Sequence, residues 1–142
     1  MKVVYEDNHV IIVHKESGEI VQGDKTGDKP LSETVKDYIR DKYHKPGNVF
    51  LGVVHRLDRP VAGLVVFART SKALSRLNDM FRKGEVHKTY WAVTRNKPVE
   101  EKGTLVNWIV RNEKQNKSYV YDKEVPGAKR AELKYQLIAH TD

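Results

Sequence analysis

Apolar residues enter the chain in short, punctuated runs. Residues 3–5 and 10–13 are rich in β-branched side chains and are separated by Glu6, Asp7, Asn8 and His9. The Asp and Asn side chains favour a turn, so a β-hairpin is expected at the start. Residues 18–21 predict another short extended piece. Gly, Asp, Lys, Thr and Pro dominate residues 23–30, the composition of a surface loop. Leu31, Val35, Tyr38, Ile39 and Lys42 then recur every three or four positions, which predicts a helix that stops before Pro46 and Gly47.

Two apolar runs follow, residues 49–54 and 63–68, without polar alternation, and such runs are expected in strands covered on both faces near the middle of a sheet. Thr70 and Ser71 can cap a second helix with Leu74, Leu77, Met80 and Phe81 on its inward face and Gly84 as its stop. Residues 86–93 alternate around Tyr90 and read as a strand, as do residues 103–110. Residues 111–118 are polar and basic, a protruding turn or loop. Ala131, Leu133, Tyr135, Leu137 and Ala139 alternate with polar residues as a half-buried strand. Two helices among seven or more strands predict an α+β fold: one domain over residues 1–142, with a largely antiparallel mixed sheet and a few flanking helices. Its last strand would have nothing after it to cover the edge.

Composition narrows the classes. With 142 residues, 39% hydrophobic and 32% charged, the chain can bury one core and is neither disordered nor membrane-spanning. No apolar stretch approaches the ~20 residues that cross a bilayer. Residues 1–7 lack the apolar centre of a signal peptide, so a cytoplasmic location is expected. Cysteine is absent, which excludes disulfides and thiolate metal sites. The six histidines show no ligand spacing, so no metal is expected. The net charge of +7 creates a field that attracts polyanions such as RNA. Many small proteins are equally basic, and the charge alone leaves the partner open. Lys114, Lys117, Lys123, Lys129 and Arg130 form a basic tract suited to RNA phosphates or to a solvated surface.

The most informative segment is residues 52–60, where His55, Arg56, Asp58 and Arg59 lie between the two apolar runs. Unpaired burial of such groups is costly, so they pair, face a cleft, or both. Pro60 cannot donate to a ladder, so the chain is expected to leave its strand near Asp58. The result is a carboxylate at a strand end flanked by guanidinium groups. That is either an ionised nucleophile or base, or a buried Arg–Asp bridge holding a turn. The kinase pattern H-R-D does not apply, because Leu57 shifts the Asp and no Gly-rich loop or D-F-G accompanies it.

Residues 54–59 (Val-His-Arg-Leu-Asp-Arg), followed by residues 63–68, resemble the catalytic motif of RluA-type pseudouridine synthases, enzymes that isomerise uridines in RNA. Lys88, Thr89, Tyr90, Trp91 and Ala92 are similar to the family's K-x-Y-x-A motif. The opening hairpin, the helix after Thr70 and residues 129–135 agree with the same family. The resemblance implies that Asp58 is the catalytic residue, that Tyr90 lies against the target base, and that Arg56 displaces the nucleotide from its stack. His55, Arg56, Arg59 and Lys88 become the candidates to contact substrate. His55 and His87 are expected as hydrogen-bonded structural residues rather than acid–base catalysts. Trp91 and Trp108 are expected in the core or on a strand face. Spacing alone would make Tyr90 half-buried core.

The resemblance further implies ribosomal or transfer RNA as partner and no metal, nucleotide or redox cofactor. Val61, Ala62 and Gly63 stand where the family usually has Thr-Ser-Gly. The family's third motif, G-R-x-H-Q-I/L-R, has no match, and its N-terminal S4 RNA-binding module is absent. The expectation is therefore a C-terminally incomplete catalytic domain. The alternative is a truncated, non-catalytic RNA-binding module derived from the same fold.

Overall fold

The structure is a computed structural model and describes residues 1–141. The chain forms two compact units, Met1–Thr89 and a second beginning at Tyr90. The first holds strands β1 (Lys2–Glu6) and β2 (Val10–Lys15), helix α1 (Leu31–Tyr43), strands β3 (Gly52–Val53) and β4 (Gly63–Ala68), and helix α2 (Ser71–Arg82). Its four strands form one sheet in the order β1-β2-β4-β3, with every pair antiparallel. The expected hairpin is present. Asp7 Oδ1 accepts from the N–H groups of His9 and Val10 at 2.7 and 2.8 Å, closing the turn as short acidic side chains do.

Alternation in β2 and β4 sends Ile11, Val13, Val65 and Phe67 to one face, where Leu31, Val35 and Ile39 of α1 cover them. Residues 63–68 are thus not covered on both faces as expected: Leu64 is 53% exposed while Val65 and Phe67 are fully buried. The α1 residues of the core lie on the Val65/Phe67 face, and Leu64 points to the other. The run 49–54 is likewise not a central strand. Only Gly52 and Val53 pair, at the edge of the sheet, while Val49 drops into the core. A side chain on Gly52 would put its Cβ 2.7 Å from Leu74 Cδ1, so glycine there permits the close approach of α2 to β3.

Residues 18–21 form no strand. Ile20 and Val21 are buried, and their carbonyls accept from the N–H groups of Leu31 and Ser32 at 2.8 and 3.1 Å. They thereby satisfy the first turn of α1, whose cap Pro30 contributes no side-chain bond. Helix α2 starts as predicted, with Thr70 Oγ1 accepting from Ala73 N–H at 3.1 Å.

The second unit contains strands β5 (Lys102–Asn112), β6 (Lys117–Tyr121) and β7 (Lys129–Gln136), in the antiparallel order β6-β5-β7. Residues 111–118, expected as turn or loop, supply the end of β5, a turn over residues 113–116 and the start of β6. Asn116 takes the left-handed conformation (φ 49°) that Asn tolerates best among non-glycine residues. The strand expected over residues 86–93 is not formed: the segment is irregular, with Trp91 and Val93 exposed. Alternation marks a segment able to join a sheet, but a strand exists only where a neighbour completes its ladder. Strand β7 lies at the edge of this sheet. The α+β class with antiparallel sheets and two helices is as the sequence predicts. No helix among the described residues is long and apolar enough to cross a membrane.

Candidate active site

Strand β2 ends in Lys15, two positions beyond Val13, so the pleat points this lysine to the core face. It is fully buried. Its ammonium shares its three N–H groups among four backbone carbonyls within reach: Val61 at 2.6 Å, Arg59 at 3.0 Å, Asp58 at 3.1 Å and Glu16 at 3.2 Å. Burial lowers its pKa, with the Glu19 carboxylate opposing that effect, Arg59 adding to it and Asp58 opposing it. Three of the four carbonyls belong to the segment 58–61, so one buried cation gathers the backbone of the turn that carries Asp58. Val61 N–H donates to Asp58 O at 2.9 Å and closes the same turn. Gly63, at φ +150°, returns the chain to β4 where a side chain would be strained.

The Asp58 side chain is exposed. Among the described residues, none forms an ion pair or hydrogen bond with its carboxylate. The buried Arg–Asp bridge weighed from the sequence is therefore not formed, and Arg59 turns elsewhere. Its guanidinium pairs with Asp24 at 3.3 Å and Asp28 at 3.1 Å, and donates to Gly18 O at 3.0 Å and Thr26 Oγ1 at 3.2 Å. Gly18 N–H donates back to Arg59 O at 2.7 Å, so the 18–28 loop and the turn are tied from both sides. Arg56 is exposed and makes no ion pair among the described residues.

His55 is half-buried. Its Nε2 accepts from Val66 N–H at 2.9 Å, and its ring stacks on Phe81 at 5.0 Å between centroids. Accepting at Nε2 requires a neutral ring with the proton on Nδ1. Burial, and then the Lys88 charge, lower its pKa and favour that form. Lys88 itself is exposed. Tyr90 and Trp91 belong to the second unit's irregular segment, Tyr90 60% exposed and Trp91 85%, so neither is core. Trp108 is a partly buried strand-face residue of β5, as expected.

The structure thus brings His55, Arg56, Asp58 and Arg59 into one anchored segment and gives His55 and Arg59 partners within the protein. It adds Lys15, Asp24 and Asp28, which the sequence reading missed. The missed signal was periodicity: Lys15 continues the buried positions 11 and 13, and a charge on a core face needs an explanation. Among the described residues, no three His, Asp or Glu side chains converge as a metal site would require.

Known proteins place this arrangement in a family. A family model described as RNA pseudouridylate synthase matches residues 9–142. The tRNA pseudouridine synthase C of Vibrio cholerae is 31% identical over 142 residues, 100% of this chain and 55% of that protein. The ribosomal large subunit pseudouridine synthase C of Rickettsia bellii is 30% identical over 103 residues, 72% of this chain and 32% of that protein. The solved structure of human RNA pseudouridylate synthase domain containing 4 superposes with a TM-score of 0.80 over 99% of this chain and 54% of its own, at 21% identity, a likeness of fold. The chain spans about half or less of the length of these relatives. It belongs to the RNA pseudouridylate synthase family.

Proposed function

We propose that this member of the family acts as an RNA pseudouridine synthase with Asp58 as the reacting carboxylate. One observation carries the reading: the Asp58 side chain is exposed and unpaired among the described residues, while its own backbone is held by the buried Lys15. A structural aspartate commonly spends its oxygens on a turn or a cation. Here the backbone is pinned and the carboxylate left available, which is what a nucleophile or base requires.

The isomerisation breaks the uracil N1–C1′ bond and forms a C5–C1′ bond. The C5 proton leaves to solvent and N1 takes up a proton, so no oxidant or reductant is needed. The uridine must first leave its stack, at a cost of a few kcal/mol. Arg56, exposed beside Asp58 in the chain, suits filling the vacated space. Tyr90 enters on the motif resemblance and on its exposed ring, which can stack on the base. His55 and Arg59 hold the segment rather than the substrate, and Lys88 offers an exposed cation for phosphate. The substrate class is a uridine in transfer or ribosomal RNA, the two classes named among the relatives. Both units are read as parts of one catalytic domain.

The test is tritium release from RNA labelled at uridine C5, using the protein at its natural length. Asp58→Asn keeps the size of the side chain and removes its charge. It is expected to lower turnover by at least ~10²–10⁴-fold with RNA binding within about twofold of wild type. Turnover close to wild type would remove Asp58 from the chemistry.

A further inference from the structure

The register of the second sheet separates its residues into two chemically different faces. Cross-strand partners share a face, so the pairs Trp108/Tyr121, Val110/Tyr119 and Asn112/Lys117 lie together with Arg130, Glu132 and Lys134 of β7 and Lys102 of β5. The other face carries Leu105, Ile109, Val120, Ala131, Leu133 and Tyr135. The second face is mainly apolar at its centre, with Asn107, Arg111, Ser118 and Lys129 also on it, and it carries one aromatic ring, Tyr135, against three on the first. The first has three aromatic rings interleaved with four cations and one carboxylate, the Glu132 that pairs with Arg130 at 3.1 Å. The tract at Lys117, Lys129 and Arg130, continuous in sequence reading, is thereby divided: Lys129 stands opposite Ile109 on the mainly apolar face.

The rings of the first face are accessible, Tyr119 at 37% and Tyr121 at 43% exposure. Lys117 Nζ sits 5.2 Å from the Tyr119 ring centre, a cation held beside an aromatic surface. At the hairpin end a shallow depression is bounded by Val110, Asn112, Lys114, Gln115, Tyr119 and Tyr121. Tyr119 Oη donates to Gln115 Oε1, and Asn112 Oδ1 accepts from Gln115 N–H at 3.1 Å. The Gln115 amide nitrogen is then oriented with its donors free for a base edge.

We infer that this aromatic and cationic face, Trp108, Tyr119 and Tyr121 with Lys102, Lys117, Arg130 and Lys134, docks single-stranded RNA. Exposed rings accept stacked bases of any sequence, and the cations among them supply charge for the phosphates. A duplex hides its base faces and would meet only the cations. The inference rests on the reading that the protein acts on RNA, and it is independent of the role given to Asp58.

The test is equilibrium binding of the natural-length protein to a short oligouridylate containing one 4-thiouridine, with photocrosslink mapping. Crosslinks are expected at Tyr119 or Tyr121. Tyr119→Ala and Tyr121→Ala should each weaken binding roughly tenfold, while the Phe variants stay within about twofold. Lys117→Gln and Lys134→Gln should each reduce the slope of log affinity against log salt by about 0.7. Val120→Thr, on the mainly apolar face, should change nothing.

Four results would overturn the inference. The Ala variants could bind like wild type; Val120→Thr could weaken binding as much as Tyr119→Ala; or a duplex of equal length could bind better than the single strand. In the fourth, the two tyrosines are shielded from hydroxyl radicals without RNA, by a second copy or by the protein's own chain. Tritium release measured on the same preparations separates the two readings. Wild-type turnover with unaffected Ala variants removes only this surface. Binding that follows the pattern without turnover removes only the catalytic reading.

Discussion

In the unit Met1–Thr89, Val65 and Phe67 lie beneath α1 with no exposed surface, whereas in the unit beginning at Tyr90, Leu105, Val120 and Leu133 stand on an open sheet at 48%, 62% and 52% exposure. Full burial of one such core side chain is worth roughly 1.5–3 kcal/mol, while a cross-strand pair on an open face adds only ~0.2–1 kcal/mol. The first unit is therefore the better anchored of the two, and the segment that bears Asp58 belongs to it. The second is an open sheet with exposed side chains on both faces, Tyr121 on one and Leu133 on the other. Both helices lie in the first unit and both tryptophans, Trp91 and Trp108, in the second. Helical circular dichroism and tryptophan fluorescence hence report on the two units separately.

That contrast can be broken most directly at the core. Phe67→Ala should cost roughly 3–5 kcal/mol in the helical transition during chemical denaturation, while Leu133→Ala should cost less than about 1 kcal/mol in the fluorescence transition. Equal losses would mean that the two units share one stability.

A smaller loss is expected at Lys15. Lys15→Met keeps the apolar stem and removes the donor shared by the carbonyls of Asp58, Arg59 and Val61, of which Asp58 O and Arg59 O keep the N–H groups of Val61 and Gly18, so the loss should be roughly 1–3 kcal/mol. Because the turn is then loosely held, kcat should fall while KM for RNA stays within about twofold, measured under conditions where the variant is folded. A rise in KM with unchanged kcat would make the lysine part of RNA binding instead.

The smallest effect concerns His55. Its folded pKa lies below the unfolded value, so the unfolded chain binds the extra proton first. The stabilisation is present above about pH 6.5 and is lost as pH falls toward the folded value. The helical transition should shift to lower denaturant on acidification from neutral pH toward pH 5. His55→Gln, whose amide oxygen can still accept from Val66 N–H, should flatten that part of the slope. An unchanged slope would assign the acid sensitivity to other groups.

Much of the first unit is legible in the chain. Asp7 turns the hairpin, the spacing of Leu31, Val35 and Ile39 makes α1, and Thr70 caps α2. The motif around Asp58 also marks the segment where chemistry is proposed. The reading was weaker wherever it needed partners. Residues 49–54 are apolar enough for a strand, yet only Gly52 and Val53 pair while Val49 enters the core and Phe50 is exposed, and residues 86–93 alternate without a ladder. Arg59 is adjacent to Asp58 in sequence yet bonds to Asp24 and Asp28, because neighbouring side chains on an irregular turn diverge.

The sequence by itself determined the class of fold, the two helices and the opening hairpin, since each depends on local conformational preference and periodicity, and the motif through its resemblance to a known family. Only the tertiary structure decided that Lys15 anchors the turn from beneath, that the Asp58 carboxylate has no partner among the described residues, and that the basic tract divides between two faces of one sheet. Those facts depend on which strands pair and in what register, and register is set by burial summed over the whole unit rather than by any run of neighbouring residues.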